Sequence, residues 1–86
     1  MFVILVYDAQ DNRVAKLMKT CRKYLRHVQK SVFEGTLTDA KLKQLKLEIQ
    51  KIIDCEHDAV HIYETNWPQH LVKEQIGVAE ECSNII

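Results

Sequence analysis

The run Phe2-Val3-Ile4-Leu5-Val6-Tyr7, closed by Asp8, constrains this chain more than any other segment. No polar group interrupts it, and its β-branched content is that of a buried strand. Continuous apolar character predicts a central strand from about Phe2 to Tyr7, covered on both faces. An ionised carboxylate is costly inside a core. Asp8 therefore belongs at the rim of that strand, where a polar turn follows and solvent, metal or substrate can reach it. It is the first candidate for a reactive centre.

Eighty-six residues suit one small domain, which buries a limited share of its surface and gains from an oligomer that shares a core. The N-terminal apolar run is too short to span a bilayer. It also lacks the basic flank and cleavage site of a signal peptide. The expectation is a cytoplasmic protein with no membrane partner. Cys21, Cys55 and Cys82 are odd in number and far apart, with no C-x-x-C, which argues against a disulfide framework and a zinc ribbon. Cys21 reads as a core residue. Cys55 with His57 is a weak metal signal, since structural zinc needs four ligands.

Twelve basic and 12 acidic residues cancel to a formal net charge of zero, yet they are not mixed. Arg13, Lys16, Lys19, Arg22, Lys23, Arg26 and Lys30 fall in one stretch with no acid among them. Asp54, Glu56, Asp58, Glu64, Glu74, Glu80 and Glu81 dominate the final third, opposed only by Lys73. A basic helix on a neutral protein is still a nucleic-acid footprint.

Asp11 or Asn12 can cap a helix in which Val14, Leu17, Met18, Cys21 and Leu25 recur on one face, with the basic residues around the rest. In HVQKSVFEGTL, Val28, Val32 and Phe33 read either as one bent strand or as a tight hairpin turning near Lys30-Ser31. A second helix begins after the N-cap Thr38, with Leu37 and Leu42 placed as a hydrophobic staple. Leu42, Leu45, Ile49, Ile52 and Ile53 form its buried face, and Lys41, Lys43, Lys46 and Lys51 fall mostly outward. Ala59 to Glu64 alternates as a strand, on which His61 reads as a satisfied structural imidazole. Asn66 to Gln75, broken by Pro68, reads as a linker, and Ile76-Gly77-Val78 as a short final strand.

This order predicts an α+β, ferredoxin-like βαββαβ core over residues 1–65, with residues 66–86 as a C-terminal linker and short extra strand packing on a partner protomer. Both helices of such a core lie on one face of the sheet. The charge-poor first strand says the other face is also covered, so the expectation is a sheet-to-sheet homodimer.

Several pieces carry a resemblance along essentially the whole chain: MFVILVYD, Arg13-Val14-Ala15-Lys16, VQKSVFEG from Val28 to Gly35, QKIIDCEHDAVHIYE and the ending IGVAEECSNII. Together they resemble the CRISPR-associated endoribonuclease two family, the small partner of the CRISPR integrase. The resemblance implies a ferredoxin-like homodimer in which two copies of Asp8 face each other across the two-fold axis and bind one Mg2+. It implies metal-dependent cleavage of single-stranded RNA or double-stranded DNA in some members. In others it implies a DNA-holding bridge between integrase dimers during spacer acquisition. Tyr7, Arg13, Ser31 and Phe33 match family positions near the catalytic Asp8, with Arg13 as a bidentate phosphate clamp. One departure stands out: His27, preceded by Arg26, takes the place where many members carry a permanently charged residue.

The expected nucleic-acid surface is Arg13, Lys16, Lys19, Arg22, Lys23, Arg26 and His27. Magnesium needs only one or two carboxylates with water and phosphate oxygens, and two-fold symmetry supplies the second. Three functions compete: a magnesium-dependent nuclease, akin in fold to a toxin-type ribonuclease; a purely non-catalytic DNA-binding scaffold; and a small-molecule-sensing module. No glycine-rich ligand loop supports the last.

Overall fold

The computed structural model describes residues 1–66 and 71–77. Its elements run β1 (Phe2–Asp8), α1 (Asp11–Arg22), β2 (Arg26–Gln29), β3 (Val32–Thr36), α2 (Asp39–Ile52), β4 (Ala59–Thr65) and β5 (Leu71–Gly77). The strands form one sheet in the order β2-β3-β1-β4-β5, every neighbouring pair antiparallel. This is the expected ferredoxin-like order with an added edge strand, and β1 lies at its centre.

The pleat of β1 separates two faces. Val3, Leu5 and Tyr7 are buried; Leu5 pairs with Phe33 and Ile62 and Tyr7 with Val60, so these side chains share one side. Leu17, Cys21 and Leu25 from the α1 region and Leu42, Leu45 and Ile49 from α2 join the same core cluster. Both helices thus cover one face. On the other face Phe2 is 39% exposed, and Ile4 and Val6 are only half-buried. Among the described residues, the strand that reads as apolar on both sides is covered on one side alone.

Local chemistry sets the element ends. Gln10, in extended conformation, is the N-cap of α1, and Asp11 stands in the first turn instead of capping, where its charge still favours the helix dipole. Thr38 caps α2 as expected, its hydroxyl accepting from the Lys41 N–H at 3.2 Å. Leu37 and Leu42 are both buried in the core beside that cap. Between β2 and β3 the chain makes a tight hairpin, and Lys30 turns it with φ 33°, in the left-handed region that non-glycine residues rarely occupy.

Three expectations need correction. Leu71 to Gln75 is strand, paired in register with β4 of the same chain, not linker. Lys73, Glu74 and Gln75 hide its period, and charged residues suit an edge strand. The expected packing of 66–86 on a partner falls partly on residues 67–70 and 78–86, which lie outside the described residues. Lys46 is buried and ion-paired with Glu74 of β5, not outward. Cys55 is disulfide-bonded, against the reading of scattered cysteines.

Cys21 is a free thiol in the core, and burial pushes its pKa up to about 12. Only a thiolate is nucleophilic. Alkylation by iodoacetamide at neutral pH should therefore reach Cys21 after denaturation and not before, as read by mass spectrometry of the peptide. Labelling of native protein at the free-cysteine rate would mean that this core opens readily.

Candidate active site

Asp8 ends β1, paired in register with Ala59 at the start of β4. Its side chain is exposed, and no side-chain partner holds it among the described residues. The backbone beyond it is pinned from the other end of the sequence. Asp58, fully buried, accepts from the Gln10 N–H at 3.1 Å and from the Asp54 N–H at 2.9 Å. Arg13 completes the shell as a fork, Nη2 to Oδ1 at 3.1 Å and Nε to Oδ2. The Arg13 hydrogen bonds, opposed by burial and helped by the two backbone donors, hold the Asp58 carboxyl down at a pKa of about 2. One acid thus ties together the Asp8–Asp11 turn, the first turn of α1 and the loop before β4.

This changes the reading of Arg13. Its Nε and Nη2 are given to Asp58, so the bidentate geometry expected to clamp a phosphate is spent inside the protein. Asp58 itself escaped the sequence reading. Its one signal is an acid immediately before an alternating strand. The Arg13 partner lies 45 residues away in sequence, and only the β1–β4 register brings the two together.

The other expected residues gather around a cleft between the N-terminal half of α1 and the β2–β3 hairpin. Tyr7, Asp8, Ala9, Val14, Met18, His27, Lys30 and Ser31 line it, and it encloses about 400 Å³. Tyr7 is buried, its N–H donates to the Ser31 carbonyl at 3.1 Å, and its ring stacks on Phe33 with centroids 6.1 Å apart. Phe33 is wholly buried and lies behind the cleft, under His27, whose ring stacks on it at 4.6 Å. His27 Nε2 lies 2.6 Å from the Lys30 carbonyl and therefore donates to it. Nδ1 is left to accept from Arg22 Nη2 at 3.5 Å. Burial raises the Tyr7 phenol above its ordinary pKa, so it stays protonated.

The basic surface is less uniform than its sequence. Lys16, Lys19, Arg22, Lys23 and Arg26 are all exposed. Lys23 pairs with Glu48, which also accepts from the Tyr24 hydroxyl, and Arg26 pairs with Glu34 at 3.0 Å. Exposed pairs of this kind contribute about 0–1 kcal/mol and open readily to a phosphate. Lys16 and Lys19 carry no ion pair among the described residues.

No group of three or more His, Cys, Asp or Glu side chains among the described residues converges as a metal site. Asp8 alone is an incomplete one. Magnesium accepts one or two carboxylates and fills its remaining positions with water and phosphate oxygen, so Asp8 fits as half of a pair.

A family model described as CRISPR associated protein Cas2 matches residues 1–70. The CRISPR-associated endoribonuclease Cas2 of Thermotoga maritima is 45% identical over 78 residues, covering 91% of this chain and 90% of that protein. A Thermodesulfovibrio yellowstonii protein of the same designation is 39% identical over 85 residues, covering 99% and 97%. Among solved structures, one described as the crystal structure of Cas2 superposes with a TM-score of 0.72 at 40% identity, over 84% of this chain and 85% of that one. Streptococcus pyogenes Cas2 gives 0.71 at 32% identity, over 78% and 90%. A central strand ending in an exposed acid, two helices on one side and sequence identity along nearly the full chain agree on one assignment: the chain belongs to the Cas2 family.

Proposed function

We propose that the chain works as a homodimeric, CRISPR-associated nucleic-acid-binding protein. It holds duplex DNA and bridges integrase dimers during spacer acquisition, and it has a magnesium-dependent endonuclease centre formed by two copies of Asp8. The observation that carries the reading is the position of Asp8. It is exposed at the edge of a sheet face that carries Phe2, Ile4 and Val6 and that no helix among the described residues covers. Two such faces packed about a two-fold axis bury this apolar surface and bring the two carboxylates together. His61 supports the same arrangement: it pairs in register with Val6, and its buried Nδ1, expected to be satisfied, has no hydrogen-bond partner among the described residues.

The endoribonuclease designation of the relatives supports RNA as a substrate. When bound, Mg2+ supplies charge neutralisation at the scissile phosphate and a more acidic water. This chain's own residues do the rest. Asp8 holds the acidic edge of the site, and the Asp58 anchor keeps the Asp8 turn from shifting. Lys16 and Lys19 on α1, and Lys23 at its C-cap, meet phosphates along the helix. Arg13 acts as a positioning residue through Asp58.

The scaffold role is tested by binding to duplex DNA across a salt series. The affinity should be independent of sequence and fall steeply with salt. Lys16→Glu, Lys19→Glu and Lys23→Glu should each weaken binding and lower the salt slope by roughly one. An affinity indifferent to all three reversals sinks the interface. Sedimentation at micromolar concentration tests the dimer, and a monomer there removes the basis for the paired acids.

A further inference from the structure

We propose that the cleft beside Asp8 is a nucleobase slot: it takes one unpaired base of a single strand whose phosphate lies at Asp8. This rests on the nucleic-acid reading above and extends it to the kind of strand the site accepts.

The cleft has the parts such a slot needs. Its volume of about 400 Å³ lies within the range of small-ligand pockets, roughly 300–1,000 Å³. Val14 and Met18 stand one turn apart on α1 and line it with apolar surface, and the methionine thioether suits contact with a π-system. His27 lines the opposite side. Its ring is held by stacking on Phe33 at 4.6 Å and by the 2.6 Å hydrogen bond to the Lys30 carbonyl, so it presents a fixed aromatic edge. Fixed aromatic and apolar walls accept any base through its π-face. The polar groups sit at the rim: Asp8 at the end of β1, and Lys30 and Ser31 in the hairpin turn. A nucleotide fits this polarity in one direction, base inward and phosphate at the rim.

The cleft opens between α1 and the hairpin. Of its lining residues Asp8 alone belongs to the uncovered sheet face, so a dimer formed through that face meets the cleft only at this rim. A base in a duplex is stacked and paired, and entering the cleft would first require extracting it. The slot therefore favours single strands, whereas the lysines of α1 read only backbone charge.

The test compares an unstructured single-stranded RNA with a strand of equal length made entirely of abasic sugar-phosphate, by fluorescence anisotropy in EDTA so that no cleavage intervenes. Duplex DNA binding is measured in parallel. The intact strand should bind about tenfold or more tighter than the abasic strand, the scale of one or two stacked bases. Val14→Phe, which fills the cleft from α1, should bring that ratio close to one. Met18→Trp fills the same space from the next turn and serves where Val14→Phe does not fold. Equal affinity of wild-type protein for the two strands overturns the slot. So does a ratio that persists unchanged in the filled variants, because the bases are then held elsewhere. If duplex binding survives either result, the slot fails alone. If neither strand nor duplex binds, the nucleic-acid reading fails and the slot with it.

Discussion

Asp8→Asn should lower the rate of magnesium-dependent cleavage on the order of 10²–10³-fold, the scale of removing one electrostatic group from a reacting phosphate. Its fold should be untouched. Asp8 is exposed and no side chain among the described residues holds it, and surface changes of this kind move stability within about ±0.5 kcal/mol. Thermal denaturation and a single-turnover cleavage assay on the same preparation read the two quantities. If two Asp8 carboxylates face each other as proposed, the variant dimer should be the tighter one in EDTA, because like charges repel when no cation lies between them. Full cleavage by Asp8→Asn would dismiss the metal centre. Lost cleavage with unchanged duplex binding would show the nuclease and the scaffold as separable properties of one dimer.

The second large effect is on stability. Asp58→Ala should cost about 3–5 kcal/mol, because it strands the Arg13 guanidinium and two backbone donors around an emptied buried site. That is a large part of the roughly 5–15 kcal/mol that holds a typical domain folded. The same pair gives an acid signature. The folded carboxyl sits near pKa 2 against an ordinary 3.8, so the folded form is the weaker proton binder. Its stabilisation is complete above about pH 4 and is lost as pH falls towards 2. Urea midpoints of the wild-type protein should drop through that window. Those of Asp58→Asn, lower throughout, should lack this component. Parallel acid profiles for the two proteins would mean that the buried pair is not what acid breaks.

Much of the fold was legible because its signals are local. The β1 run, the three-and-four spacing of Val14, Leu17 and Cys21, the Thr38 cap and the alternation of β4 each depend on neighbours within a turn or a pleat. The β2–β3 hairpin was left open because Lys30 adopts a positive φ without the glycine that usually announces one. Strand β5 is hidden in the sequence because Lys73, Glu74 and Gln75 interrupt its apolar pattern and only pairing with β4 organises it. Lys46 was misplaced for a related reason. A lysine on a helix reads as solvated until a distant acid, here Glu74, is brought against it.

The site divides in the same way. Asp8, Tyr7, Ser31 and His27 meet in one cleft; Asp8 is legible from its place at a strand end, whereas Tyr7, Ser31 and His27 come from the family resemblance. Arg13 was also visible, but its partner was not.

By itself the sequence determined β1, both helices, β4 and the edge position of the exposed acid, since hydrophobic period and capping act over a few residues. The tertiary structure alone decided that Asp58 engages Arg13, that Lys46 is buried, and that one face of β1 stays uncovered. Those outcomes depend on which strands become neighbours, and strand pairing joins groups too far apart in sequence for any local pattern to encode their contact.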